Sequence, residues 1–227
     1  LESAHQMRVG KEIIQGDTIL INAGGRARTV PIDGLQDVDW LDNARLLDLK
    51  ELPDHLIIVG GSYIGLEFAQ IFRRLGARVT VLEAGPQLMS REDGDIARAV
   101  QNILEHEDIV IETRAAVRHV AQPGEKHIKV AFQRDEKNHQ VEGSHLLLAV
   151  GRVPNSDRLN LEAAGVDVDD RGYIQVNQVM QTSQPHVYAV GDINGEGAFT
   201  HTAVNDGEIF WDHFSGEDNR TLDQRIP

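Results

Sequence analysis

The rhythm of apolar positions changes along this chain, and each change predicts a different element. Residues 55–60, HLIIVG, are almost continuously apolar, the pattern of a strand buried on both faces of a parallel sheet. Ile64, Phe68, Ile71, Phe72 and Leu75 then share one face of a helix, which Gly76 stops. Residues 77–83 predict a second buried strand. Helical spacing returns over 95–106, with Ile96, Val100, Ile103 and Leu104 as its apolar face, and residues 108–112 predict a third strand. After that the period shortens to two. AAVRHVAQ, KHIKVAFQ and HQVEG alternate apolar with polar residues, separated by PGE and RDEKN. This predicts a small antiparallel meander with one exposed face. SHLLLAVG, residues 144–151, is again a continuous buried strand.

The flanks read differently. Residues 5–22 predict short strands in HQMRV, GKEIIQGD and TILIN, followed by a glycine-bearing loop, AGGRA, at 23–27. VPIDGLQD, 30–37, reads as a crossing segment. Residues 42–53 predict a short helix, with Asp42 near its start and Pro53 beyond its end. Beyond the central block, LNLEAAGVDVDDRGYIQVN holds short elements with turn residues. HVYAVGD, 186–192, is a buried strand ending in Gly-Asp, and residues 201–216 predict a helix closed by Gly216. The fold class is therefore α/β, a parallel-sheet unit carrying an antiparallel meander.

Composition narrows the function. A chain of 227 residues allows one or two compact domains. Its 36 acidic against 22 basic residues give a net charge of −14, which argues against nucleic acid or an anionic membrane as partner. The absence of cysteine excludes disulfides, cysteine–zinc sites and thiol catalysis within this chain. No apolar run is long enough to span a membrane and no signal-peptide pattern opens the chain, so a cytoplasmic protein is expected. The ten histidines do not fall at metal-ligand spacing, and no metal site is expected. The chain starts at Leu1 inside a strand-like pattern and stops on DQRIP, so a piece of a larger protein is expected.

The candidate chemistry lies between the first two buried strands. Gly60, Gly61, Ser62, Tyr63, Ile64 and Gly65 form a glycine-rich turn that leads from a strand into a helix. Ser62 occupies the second position of the G-x-G-x-x-G fingerprint. Gly60 permits the tight turn, Ser62 is small, and Gly65 lets helix and strand pack closely. The helix N-terminus offers backbone N–H groups to a pyrophosphate. Glu83 closes the second strand, where the fingerprint places a carboxylate for the ribose hydroxyls. That acid suits a 2′-hydroxyl and repels a 2′-phosphate, so NADH is expected over NADPH. A tight turn without ligand, or a methyltransferase turn, are the competing readings of the same spacing.

Three motifs taken together resemble a known family. VGGSYIGLE (59–67), LLAVGRVPN (147–155) and VYAVGDI (187–193) are similar in order and spacing to those of the pyridine nucleotide–disulfide oxidoreductases. This is the flavoenzyme family of dihydrolipoamide dehydrogenase, glutathione reductase and mercuric reductase. SREDGDIARAV is most similar to the mercuric reductase branch. The resemblance covers essentially the whole chain. It implies a Rossmann-like NAD domain at about 41–155, inserted in a partial FAD domain made of residues 1–40 and 156–216, with 217–227 leading toward a dimerisation domain. It implies that Gly60 to Glu67, Ile64 included, wrap the NAD pyrophosphate, that Tyr63 is the aromatic gate over the flavin, and that Glu67 is the acid near the flavin–nicotinamide contact. Val117 would lie by the adenine and Gly151 by the nicotinamide half. Ala23, Gly24 and Gly25 would pass the FAD adenosine, Asp192 would bond a ribityl hydroxyl, and Thr200 would face the flavin pyrimidine edge. His201 lies in that same segment.

The implied activity is hydride transfer from NADH to flavin, and onward to a disulfide, thiol or metal-ion acceptor, in a homodimer. The family's first FAD glycine motif, its redox cysteine pair and its C-terminal catalytic His-Glu pair have no counterpart in these residues. The chain alone is therefore expected to be inactive and to hold FAD weakly or not at all. Two rivals stay open: a flavoprotein without the cysteine pair, such as an NADH oxidase or ferredoxin-type reductase, and a non-catalytic NAD-binding module.

Overall fold

The computed structural model describes residues 1–217 and 219–225. It divides into two compact units, one made of residues 1–26 and 152–227, the other of residues 27–151.

The first leg of the discontinuous unit carries β1 (Gln6–Val9), β2 (Glu12–Gln15), β3 (Ile19–Ile21) and β4 (Gly25–Ala27). β1 and β2 form an antiparallel hairpin. The expected AGGRA loop is thus part strand.

The continuous unit begins with a 3-10 turn, Leu35–Asp37, and α1 (Asn43–Leu47). Asp42 caps α1, its carboxylate accepting from Ala44 N–H and Arg45 N–H. Then come β5 (His55–Val59), α2 (Tyr63–Leu75), β6 (Arg78–Leu82), α3 (Gly94–His106) and β7 (Val110–Glu112). The meander follows as β8 (Ala116–Gly124), β9 (His127–Arg134) and β10 (Lys137–Gly143), and β11 (His145–Leu148) closes the unit. β5, β6, β7 and β11 form one parallel sheet in the order β11-β5-β6-β7, and the meander is a separate antiparallel sheet in the order β10-β9-β8.

Alternation along the buried strands explains the layering. Leu56 and Ile58 point into a core with Leu66, Phe68, Phe72 and Leu104 of the helices. Ile57 and Val59 point to the opposite face, against Val120, Ile128, Val130 and Phe132 of the meander. Ile32, Leu35 and Val38 belong to that second core, so residues 27–40 pack with the continuous unit. Its two ends meet, since Arg28 N–H donates to the Gly151 carbonyl at 2.9 Å.

The helix faces match the expected ones only in part: Phe68, Phe72 and Leu104 are buried as expected. α2 buries Gly65, Leu66, Phe68, Ala69 and Phe72, while Ile64, Ile71 and Leu75 stay exposed. α3 buries Ala97 and Leu104 and leaves Ile96 and Ile103 exposed. Small residues decide the matter. A Cβ on Gly65 would stand 2.2 Å from the Gly60 carbonyl oxygen, so the glycine side is the one that can approach the sheet.

The second leg of the discontinuous unit holds β12 (Arg152–Pro154), short 3-10 turns, β13 (Val187–Ala189) and α4 (Thr200–Ser215). β13 lies parallel to β3, with Val187 opposite Ile19, and β12 pairs with β4. Ile21, Leu161, Ile174, Val187 and Ile193 form its main core. Gly216 caps α4 in the left-handed conformation. No described helix is long and apolar enough to cross a membrane.

Candidate functional site

The sheet order reverses between β5 and β11, and the crevice beyond the carboxyl ends of those two strands is where open α/β sheets bind ligands. Gly60 follows β5 there and Gly151 lies just beyond β11. Gly60 adopts φ +112°, and a Cβ on it would stand 2.3 Å from the Ala149 carbonyl oxygen. Glycine is required at this position on both counts. Ser62 is the N-cap of α2 but gives it no side-chain cap, which leaves the first turn without a side-chain acceptor.

Glu83 comes to this turn from the end of β6. Its Oε2 accepts from Gly61 N–H at 2.6 Å, and its Oε1 accepts from Gly85 N–H at 2.6 Å. A Cβ on Gly61 would lie 2.6 Å from Leu88 Cδ2 and 2.9 Å from Glu83 Cβ. The second glycine is thus needed for the close approach of Glu83, a reason invisible in the fingerprint alone. The Gly61 carbonyl in turn accepts from Met89 N–H at 2.9 Å.

Tyr63 and Glu67 project one turn apart from the exposed side of α2 and line a shallow groove with Leu66, Gln70, Met89 and Ile103. The Tyr63 hydroxyl donates to Glu92 Oε1. That hydrogen bond, with a smaller effect of burial, holds the phenol above its ordinary pKa. Ile64 is exposed beside them. Gly151, at φ +110°, has open space where a Cβ would be. Val117 lies in β8, opposite Phe132 and against the edge of the meander core.

The remaining candidates belong to the discontinuous unit. The Ala23–Gly24–Gly25 loop is clamped by the returning leg. Asn155 Nδ2 donates to the Ala23 carbonyl at 2.8 Å, Asn155 N–H to the Gly24 carbonyl at 3.0 Å, and Arg152 Nη2 to the Gly25 carbonyl. Arg26 pairs with both oxygens of Asp157, at 2.9 and 2.7 Å. Asp192 sits inside a 3-10 turn, Gly191–Ile193, its Oδ2 3.7 Å from Arg152 Nε. Thr200 is the exposed first residue of α4, and His201 stacks on Phe199 with ring centroids 5.5 Å apart. Glu92, Arg152, Asn155 and Asp206 were not singled out from the sequence. Asp206 had a signal there, as an acid amid the helical run HTAVNDGEIF. Among the described residues no group of three or more His, Cys, Asp or Glu is arranged to hold a metal ion.

A glycine turn at the switch point of a parallel sheet, met by an acid from the next strand, defines an α/β protein with a Rossmann-type turn. The family described as pyridine nucleotide-disulphide oxidoreductase matches residues 1–207, and the chain belongs to it. It is 39% identical over 219 residues to the dihydrolipoyl dehydrogenase of Bacillus subtilis (strain 168), covering 96% of this chain and 47% of that one. It is 40% identical over 202 residues to the mercuric reductase of Streptomyces lividans, covering 88% and 42%. The solved structure of the HOCl-induced flavoprotein disulfide reductase RclA from Escherichia coli superimposes with a TM-score of 0.91 at 35% identity, over 99% of this chain and 51% of that one. The chain spans about half the length of the curated relatives it matches.

Proposed function

We propose that this chain is the cofactor-holding centre of an FAD-dependent oxidoreductase that draws electrons from NADH and delivers them to a disulfide, dithiol or metal-ion acceptor. The reading takes residues 27–151 as a nicotinamide-dinucleotide domain inserted between two legs of an FAD domain. NAD and FAD, when bound, supply the hydride chemistry. The chain supplies binding, orientation and discrimination.

Gly60 and Gly61 shape the tight turn that would wrap the pyrophosphate, Gly65 brings helix and strand together, and Ser62, Tyr63 and Ile64 open the helix N-terminus that faces it. Glu83 already accepts two backbone N–H groups and has further lone-pair directions for ribose hydroxyls. Its charge disfavours a 2′-phosphate, which gives the preference for NADH over NADPH. Tyr63 acts as a gate tethered through its hydroxyl to Glu92, with Glu67 one turn behind it. Val117 borders the adenine, and the open backbone at Gly151 receives the nicotinamide half. In the other unit, the clamped Ala23–Gly25 loop runs beside the FAD adenosine. Asp192 accepts from a ribityl hydroxyl, and Thr200 with the start of α4 faces the pyrimidine edge. The acceptor classes are those in the relatives' names, and the homodimer is proposed from family resemblance.

The observation that carries the reading is the meeting of Gly60 and Ala149 at the reversal of the sheet, with Glu83 turned onto the adjoining Gly61. A non-catalytic NAD-binding module leaves the ordered surroundings of Asp192 without a purpose. The test uses the full-length protein under anaerobic conditions. NADH is expected to bleach its flavin absorbance, and NADPH to do so about tenfold less effectively. A flavin that neither nucleotide bleaches overturns the proposal, and a full-length protein with no flavin favours the module.

A further inference from the structure

We propose that Asp206 is a positioning residue for the flavin: together with Arg225 it fixes the Gly191–Ile193 turn that aims the Asp192 carboxylate. The inference rests on the FAD reading above and deepens it by naming what sets the ribityl contact.

Asp206 faces inward from α4 and is only 1% exposed. A carboxylate so buried is strongly disfavoured unless its oxygens are met by donors. Here they are met. Oδ2 accepts from Gly191 N–H at 2.9 Å and from Asn194 Nδ2 at 2.9 Å. Oδ1 pairs with Arg225 Nη1 at 2.5 Å, and the Arg225 side chain is itself 9% exposed. Arg225 Nη2 donates to the Glu196 carbonyl, just past the turn.

The arrangement places both ends of one short turn on one carboxylate. Gly191 opens the turn and Asn194 is its C-cap, with Asn194 N–H donating to the Gly191 carbonyl at 3.1 Å. Asn194 Nδ2 also donates to the Ala189 carbonyl at 3.2 Å. The turn has little room to shift by itself. Gly191 adopts φ +75°, and a Cβ on it would lie 3.1 Å from Asn22 Oδ1 and 3.4 Å from Ala203 Cβ. Asp192 projects from the middle of this braced segment, so its direction follows the backbone that Asp206 holds. Met180, Val190 and Ile209 form the apolar cluster on which α4 packs here, and apolar residues would serve packing alone at least as well as an ion pair. The charged pair supplies fixed geometry instead, through charge-assisted hydrogen bonds.

The experiment titrates FAD into deflavinated full-length protein, wild type and variants, following flavin fluorescence. Melting temperature and NADH affinity are measured on the same preparations. Asp206→Asn keeps the shape but not the charge. It is expected to weaken FAD about tenfold and to leave bound flavin more fluorescent, with NADH affinity unchanged. Arg225→Gln is expected to act in the same direction and serves if Asp206→Asn does not fold. The double variant is expected to lose less than the product of the two single losses, because both act through one pair. A variant that melts lower yet binds FAD with wild-type affinity and fluorescence would mean that the pair is structural only, and overturns this inference alone. A wild-type protein that takes up no FAD overturns the FAD reading and this inference with it.

Discussion

Gly61 N–H donates to the Glu83 carboxylate at 2.6 Å, so the acid expected to read the ribose also braces the glycine turn that would hold the pyrophosphate. Substitution at Glu83 therefore has two effects. Glu83→Ala removes the acceptor for Gly61 and for Gly85 along with the charge, and it is expected to lower stability and NADH affinity together. Glu83→Gln retains an acceptor and isolates the charge. Calorimetric titration of Glu83→Gln is expected to bring NADH and NADPH affinities closer by about tenfold relative to wild type. An unchanged ratio would mean that Glu83 serves the turn and not the choice of nucleotide.

Two glycines should respond to alanine with opposite signs. At Gly65 a Cβ would press on the Gly60 carbonyl oxygen at 2.2 Å, and Gly65→Ala is expected to cost about 1–3 kcal/mol. Gly207 lies within α4 with open space around its Cβ position, and Gly207→Ala is expected to gain about 0.5–1 kcal/mol. Thermal melts of both variants give the comparison, and a Gly65→Ala protein as stable as wild type would refute the close helix–sheet approach.

Burial lowers the pKa of His55 and His145 below the ordinary 6.5, with Arg78 and Lys126 adding to the shift respectively. His55 Nε2 lies 2.9 Å from Thr80 Oγ1, and His145 Nδ1 2.9 Å from Ser144 Oγ. Below pH 6.5 the unfolded chain binds protons that the folded chain refuses, so stability is intact above 6.5 and falls as pH drops toward the folded pKa values. Urea midpoints are expected to be lower at about pH 5.5 than at about pH 7.5. A separate loss begins further down. Arg74 holds Glu107 below the ordinary 4.5, so that contribution persists above 4.5 and goes as pH falls through the depressed value. A flat midpoint across the upper window would show that the two histidines titrate normally.

The hydrogen bond from Tyr63 to Glu92 keeps the phenol protonated beyond its ordinary value of 10.0. Glu92→Gln is expected to return Tyr63 to ionisation near that value. Ultraviolet titration, differenced against Tyr63→Phe to remove the other tyrosines, reads the change. Identical titration curves with and without Glu92 would remove the tether from the gate proposed for Tyr63.

Much of the central fold was readable in the chain because buried parallel strands carry a strong signal. HLIIVG and SHLLLAVG became β5 and β11, and the period-two stretches became the meander. Helix orientation was less legible. Apolar spacing selected Phe68 and Phe72, which are buried, but also Ile64, Ile71 and Leu75, which are not; the sheet takes the side of Gly65 and Ala69 as well, where small size matters more than hydrophobicity. The glycine turn was visible as a motif, whereas its bond to Glu83 depends on how β6 is placed beside β5. Asp206, Asn155 and Arg152 escaped notice for the same reason. Each draws its meaning from a partner distant in sequence, which the local pattern around it does not reveal.

The hydrogen bond between Arg28 and Gly151 bears on how the protein is made. β3 must pair with β13, which leaves the ribosome only after all of residues 27–151. In an unfolded chain that pairing would close a long loop at considerable entropic cost. Once residues 27–151 have folded, their two ends are adjacent, and the early and late legs emerge side by side. The central unit thus acts as a clasp during synthesis: its own folding turns the distant pairing of β3 with β13 into a local one.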